Sequence, residues 1–253
     1  MRKLILLLFG CLLMVDGFGW GATGHRATGL IAEQYLNAKA KKRIRQILGQ
    51  ESLAMVSTWM DEIRSDSTYN YATDWHWTTI PDGGSYEEVE SNPDGKVVMM
   101  IEKFTKELKS GKISAMQQVE YLKMLVHMIG DIHQPLHVGK PGDRGGNDIK
   151  VKWAGNDSNL HRVWDSDMID DTKLSYTEFA QSLIKPSAET IKKWQQASVR
   201  EWAKESMSLR PQVYNIGKGS LGYRYSYVNL PSVRERILQA GVRIAAILNK
   251  IYG

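Results

Sequence analysis

The sequence predicts an all-α, single-domain fold with one short β-hairpin. Apolar residues recur at helical spacing over most of the chain, and Ser, Gly and Pro fall where those stretches start and stop. Only Ile149, Val151 and Trp153 alternate with the period of a strand. No Pro/Gly/Ser-rich linker, repeat or low-complexity block divides the 253 residues.

The first stretch reads as targeting information. Arg2 and Lys3 precede an apolar run from Leu4 to Val15, and Gly17 and Gly19 place small residues at −3 and −1 of a cut before Trp20. The run is too short to cross a bilayer as a helix. The expectation is a signal peptide over residues 1–19 and an exported protein, periplasmic or secreted, that begins at Trp20 and keeps no membrane anchor. Cys11, the single cysteine, supports a competing lipidation reading, against which bulky Phe9 and the short apolar run both count. The cut leaves no cysteine, so an exported domain must rest on its core, on metal, or on both. The net charge is +5; losing Arg2, Lys3 and Asp16 leaves 31 basic and 27 acidic residues, or +4. That mild excess suits a polyanionic substrate, and lysines on solvated helix faces give the same figure.

Leu30, Ile31, Tyr35 and Leu36 keep helical spacing up to Asn37, and a basic helix follows from Ala38 to Leu48, stopped by Gly49. Ser52 can cap a third helix carrying Val56, Trp59, Met60, Asp61 and Ile63, with Arg64 close by. Residues 65–86 are turn-rich and are expected to be irregular or briefly extended. Asn92-Pro93-Asp94-Gly95 is expected to open a helix that runs to Lys109 and closes at Gly111. Ser114 with Gln117 is a capping-box signature. The helix it starts runs through Val119, Leu122, Leu125, Val126 and Ile129. After a loop from Gly142 to Gly146 come the alternating stretch, a turn near Gly155-Asn156 and a short helix with His161 and Asp165. Helices at roughly 176–184 and 187–207, a Gly/Tyr-rich loop over 214–227 and a last helix starting at Pro231 complete the chain.

Chemistry concentrates in His127 to His137, which holds three of the six histidines in eleven residues. On a helix, His127 and Asp131 are i and i+4 and share a face; Pro135 ends the helix and sends His137 in another direction. His161 and Asp165 repeat the spacing. One His-x-x-x-Asp pair is an ordinary helix-face hydrogen bond. Two of them with His137 are the imidazole and carboxylate set that Zn²⁺ takes when no thiolate is present.

His25, His76, His127, His137 and His161 each stand near tryptophan or glycine, four of them with a carboxylate in or beside their neighbourhood. In order and spacing, from Trp-Gly-x-x-Gly-His at 20–25 to Leu-Gln-Ala-Gly-Val-Arg-Ile-Ala-Ala-Ile-Leu-Asn at 238–249, the sequence resembles the zinc-dependent type I nucleases, single-strand-specific nucleases and 3′-nucleotidases of fungi, plants and bacteria. The resemblance implies the helical fold shared by that family and the zinc phospholipases C, over residues 20–253. It implies three Zn²⁺: one on Asp61, His76, His127 and Asp131, a second on His137, His161 and Asp165, and a third on His25, Asp131 and the α-amino nitrogen and carbonyl of Trp20. It gives Asp61 the attacking water to orient, Arg64 the scissile phosphate, the Gly145-Gly146-Asn147 turn the nucleobase and Trp77 its stacking partner. Single-stranded nucleic acid and 3′-nucleotides are the implied substrates, with a monomer and no stable protein partner. Thr79 departs from the base-reading Asp frequent in the family, and the disulfides of fungal members have no counterpart. His133 points about 200° from Asp131 at 100° per residue, which gives it a surface or supporting role. Two other readings stay open: a zinc-dependent phospholipase C, which differs in having Glu for Asp165 and a longer gap from tryptophan to first histidine, and a non-enzymatic exported zinc-binding protein, which leaves Arg64, Trp77 and Asn147 unexplained.

Overall fold

The computed structural model describes residues 20–253, so the expected signal peptide, its cut and Cys11 lie outside the described residues. Helix α1 (Ala22–Tyr35) leads into α2 (Ala38–Leu48), where Asn37 accepts from Ala40 N as the cap. Ser52 caps as expected, accepting from Met55 N, but the helix it starts is broken. It is α3 (Leu53–Val56), then α4 (Trp59–Glu62), then a 3₁₀ turn at Ile63–Ser65. Hydroxyl competition accounts for the break: Ser57 Oγ and Thr58 Oγ1 donate back to Ala54 O and Met55 O at 2.8 and 3.3 Å.

Residues Ser67–Trp75, expected to be irregular, wind as 3₁₀ helix. Strand β1 (Thr78–Thr79), helix α5 (Tyr86–Val89) and α6 (Val97–Ser110) follow. Asn92 to Gly95 is thus a turn ahead of α6 rather than its first residues. Helix α7 (Ala115–Asp131) starts at the Ser114–Gln117 capping box and is buried on all sides from Leu122 onward, which makes it the central post of the molecule. Strand β2 (Val138–Gly139) pairs in parallel with β1. The expected hairpin is β3 (Lys150–Trp153) with β4 (Asn156–Asn159).

Short α8 (Leu160–Arg162) passes through a π turn at Val163–Asp167 into α9 (Met168–Asp170). Helix α10 (Tyr176–Gln181) precedes α11 (Ala188–Gln196) and α12 (Val199–Ser208), two helices where one was expected because Ser198 caps a new start. Helix α13 (Arg210–Val213) leads to β5 (Ser220–Leu221), a third strand parallel to β3 that alternation over two residues could not reveal.

The last helix, α14, spans Tyr223–Tyr252 and contains Pro231 instead of starting there. A proline inside a helix leaves a carbonyl without its donor. Here side chains serve the neighbouring carbonyls, Asn229 Nδ2 donating to Tyr225 O at 2.8 Å and Gln212 Nε2 to Val228 O at 3.3 Å.

Two apolar clusters form. One gathers α2, α3, α6, α7 and the end of α14; the other gathers α1, β3, α9, α10 and the first half of α14. Arg236 and Arg243, one heptad apart, carry α14's buried polar stripe: Arg243 Nη1 and Nη2 reach Glu205 at 2.6 and 2.8 Å, and Arg236 Nη1 reaches it at 2.7 Å. His133 belongs to this stripe. It is fully buried, its Nε2 facing Arg243 Nη1 at 2.9 Å, so the surface half of its expectation fails and only a supporting role remains. Among the described residues no helix is long and apolar enough to cross a membrane.

Candidate active site

The seam between the clusters is where the polar ligand set collects. α1 brings His25, α4 brings Asp61, the end of the 3₁₀ stretch brings His76 and α7 brings His127 and Asp131. A 3₁₀ turn after Pro135 brings His137, and α8 with its π turn brings His161 and Asp165. Three groups form whose donor atoms lie within 4.8 Å of one another: His25–His127–Asp131, Asp61–His76–His127, and His137–His161–Asp165. Asp131 sits at the middle, its carboxylate 3.0 Å from His76 Nδ1, 3.1 Å from His127 Nε2, 3.3 Å from His25 Nε2 and 3.9 Å from His137 Nδ1. Asp165 lies 2.9 Å from His161 Nε2 and 3.9 Å from His137 Nε2. Trp20 is fully buried at the start of α1, where Gly21 N donates to Asp165 O at 2.8 Å and ties the N-terminal turn to the ligand segment.

The outer nitrogens of the rings are anchored. Nδ1 of His127, His137 and His161 lie 2.7 Å from the carbonyls of Ser57, His76 and Gly145. A proton held there turns each Nε2 lone pair inward, the orientation that metal ligation requires. The Ser57 carbonyl is available because Asp61 N bonds Thr58 O in the broken helix instead. Asp165 Oδ1 accepts from Gln134 Nε2, and Gln134 Oε1 accepts from Leu136 N, so an amide in the His-Gln-Pro-Leu-His run orients the carboxylate. The π turn shifts Asp165 out of plain helical register; such turns mark functional positions.

Inward-facing acceptors need positive charge among them. His25 Nε2, Asp61 Oδ1, Asp131 Oδ1, His137 Nε2 and Asp165 Oδ2 are buried without a hydrogen bond, a costly state for lone pairs unless cations bind them. The polypeptide's own titration shows the same demand. Burial disfavours the charged imidazole everywhere and prevails at His137, pushed down to about 4, and at His25, lowered further by His127. At His127 burial is outweighed by Asp131 and Asp61, which raise it to about 9, and at His161 by Asp165. Burial would raise Asp131, yet His127 and His137 hold it well below the ordinary carboxylate range. This donor set fits divalent metal, and its oxygen and nitrogen composition without sulfur fits zinc among others.

Asp61 and Arg64 lie on the open side, 29 % and 21 % exposed, with Arg64 Nη1 4.0 Å from Asp61 Oδ1. A pocket of about 260 Å³ is lined by Trp77, Thr79, Asp94, Leu136, Gly139, Arg144 and Gly145, the last of which meets His161 Nδ1 through its carbonyl. Gly95 braces Trp77: its φ is +84°, and a Cβ there would run into Trp77 Cδ1. Gly145, at φ +61°, likewise leaves no room for a side chain beside Leu136 O. Asn147 is buried and donates Nδ2 to Arg144 O at 3.0 Å, which fixes the turn; Gly145 rather than Asn147 forms the wall. Asp94, Arg144 and Gln134 carry no signal of their own in the sequence. Asn-Pro-Asp-Gly is visible as a turn, but its meeting with Trp77 is tertiary. A roomier cleft of about 580 Å³ lies over Glu205, Arg236 and Arg243, away from every ligand group.

The chain matches the S1/P1 Nuclease family over residues 20–253. It is 33% identical to Endonuclease 4 of Arabidopsis thaliana, over 92% of this chain and 89% of that protein, and 30% identical to Endonuclease 2 of the same plant, over 93% and 91%. Nuclease S1 of Aspergillus oryzae is 27% identical over 92% of both chains. With the match running from the buried tryptophan ahead of the first helix to the last residue, this chain belongs to the S1/P1 nuclease family and is a hydrolase of nucleic acid.

Proposed function

We infer that the enzyme cleaves single-stranded DNA and RNA to 5′-phosphate products and removes the phosphate of 3′-nucleotides. Nine residues hold three Zn²⁺: Trp20, His25, Asp61, His76, His127, Asp131, His137, His161 and Asp165. The reading rests above all on one observation, three acceptor groups in one cluster together with a pocket lined by Trp77 and Gly145. Residues 1–19 act as a signal peptide, the protein is exported, and 20–253 is the nuclease domain, in keeping with a family match that starts at Trp20.

When bound, the zinc ions neutralise phosphate charge and acidify water. The chain's own groups do the rest. The Asp61 carboxylate, partly exposed at the open side, accepts a hydrogen bond from the attacking water and aims it at phosphorus. Arg64 presents its planar donor fork to the non-bridging oxygens, where it meets charge that grows in the transition state. Trp77 takes the face of a base, with Gly145 close enough for the base edge and Asn147 holding the turn in shape. A pocket of about 260 Å³ admits one base and no stack, so a base must leave its duplex to enter.

Activity on single-stranded DNA, duplex DNA and phosphatidylcholine, each with and without chelator, tests this reading. Chelator-sensitive cleavage of the single strand with 5′-phosphate ends is expected. Hydrolysis of phosphatidylcholine with no cut in DNA would overturn it in favour of a phospholipase.

Changing Arg64 to Ala is expected to lower kcat about 10²- to 10³-fold, the usual loss when one charged donor to a transition state is removed. Zinc content should stay at the wild-type value, since no group of Arg64 belongs to the ligand set. Zinc that falls in proportion to activity would show that Arg64 supports the metal site instead.

A further inference from the structure

Two chain segments leave the ligand cluster side by side. After His76 the chain forms β1, and after His137 it forms β2, paired in parallel with Thr78 against Val138 and Thr79 against Gly139. Thr79 and Gly139 wall the base pocket. Beyond it, the same two segments open into a second cleft of about 550 Å³, whose walls include Asp82, Lys140, Lys204, Arg210 and Tyr214. Lys140 is three residues on from His137, so their Cα atoms are at most about 11 Å apart. The cleft starts at Lys140, the residue that follows Gly139 of the base pocket.

Its charge is one-sided. Arg210 and Asp82 cancel, joined at 2.9 Å, and Arg210 also holds β2 in place through Val138 O and Gly139 O. Lys140 and Lys204 remain. The Lys140 ammonium rests 4.1 Å from the centre of the Tyr214 ring, and neither lysine has a carboxylate partner among the described residues. Tyr214 in turn donates to Asp143 Oδ2 at 2.7 Å, and Asp143 Oδ1 accepts from Gly146 N at 3.2 Å, so the floor of the cleft is fastened to the turn that walls the base pocket.

We propose that this cleft is a backbone subsite, in which Lys140 and Lys204 bind a phosphodiester of the single-stranded substrate next to the nucleotide held by Trp77. The inference rests on the single-strand reading above. Two ammonium groups without carboxylate partners are complementary to a phosphodiester, and Lys140 is pre-positioned by the tyrosine ring beneath it. The ring is covered by the lysine, so the subsite reads charge and not base identity. A substrate long enough to cross the cleft reaches both lysines, and a mononucleotide does not.

The test compares the wild type with a K140A/K204A double variant, both zinc-loaded, on oligothymidylate of about twenty residues, on the thymidine dinucleotide and on 3′-thymidylate. The double variant should raise KM for the long strand about tenfold with kcat nearly unchanged. It should also flatten the dependence of log(kcat/KM) on log salt by roughly 0.7 for each phosphate that a lysine no longer neutralises. Its turnover of 3′-thymidylate should match the wild type, which also shows that the variant folds. Equal changes on long and short substrates, or none on either, would overturn the subsite. A wild type without activity on any single strand would instead defeat the underlying reading, so the two failures are distinct.

Discussion

Changing Asp131 to Asn is expected to lower turnover by about 10³-fold or more, equivalent to about 4 kcal/mol, and to release at least one zinc per chain. The substitution keeps the shape of the side chain and changes only charge and donor pattern. Asp131 is fully buried, and its two oxygens lie within 3.3 Å of His76, His127 and His25. In the ligand assignment proposed above it is the one carboxylate common to two zinc ions. An amide brings a neutral oxygen and an NH₂ group, whose hydrogens face imidazole lone pairs held inward by Ser57 O and its counterparts. Two metals then lose their shared anion, and the imidazoles must hold cations with less compensating charge. The group built on His137, His161 and Asp165 does not use Asp131 as a ligand, so one zinc should remain. Elemental analysis beside single-strand cleavage decides the matter: full zinc content with activity within about tenfold of wild type would show that Asp131 is a hydrogen-bonding core residue and no bridge. Circular dichroism of the variant separates lost metal from lost fold.

What the sequence made legible follows the range of the interactions involved. His127 and Asp131 are four residues apart on α7, so helical geometry alone brings them together; His161 and Asp165 share the spacing, but a π turn sets the position of Asp165. The Ser114–Gln117 box and the Ser52 cap are local in the same way, and both formed. The convergence of α1, α4, α7 and α8 on one point is not local; spacing could nominate His25 and Asp61 but only the family resemblance could join them.

The misses have physical causes. Ser57 and Thr58 broke a helix because their hydroxyls competed for its carbonyls, and Pro231 failed to start one because Asn229 and Gln212 served the carbonyls beside it. His133, two residues past Asp131 and just beyond the end of α7, pointed away from the ligand groups. What it pointed to was a pair of buried arginines on α14, more than a hundred residues away. Asp94 reaches the base pocket because Gly95 admits Trp77 at close range, which no periodicity expresses.

The second large effect concerns Trp20, whose role depends on the chain ending there. In the assignment above, the third zinc takes its α-amino nitrogen, its carbonyl oxygen and the side chains of His25 and Asp131. A free amine has a lone pair to give. An amide nitrogen, its lone pair delocalised into the carbonyl, does not. A form of the protein that keeps any residue before Trp20, even a single Met, therefore leaves the third zinc two side chains and the Trp20 carbonyl, without the amine that completes the four donors of the assigned site. Such a form is expected to hold two zinc ions and to lose about 10²-fold in turnover, or about 2.7 kcal/mol, while protein exported and cut before Trp20 holds three and is fully active. The folded core should survive, because Trp20 is fully buried by neighbours other than metal: Gly21 N bonds Asp165 O, and the ring packs with the cluster that contains Trp164 and Ile169. Intact-mass measurement fixes the first residue of each preparation, and elemental analysis of the same sample counts its zinc. Three zinc ions and full activity in a protein whose mass includes residues before Trp20 would remove the amine from the ligand set, and with it the chemical reason for placing the cut there.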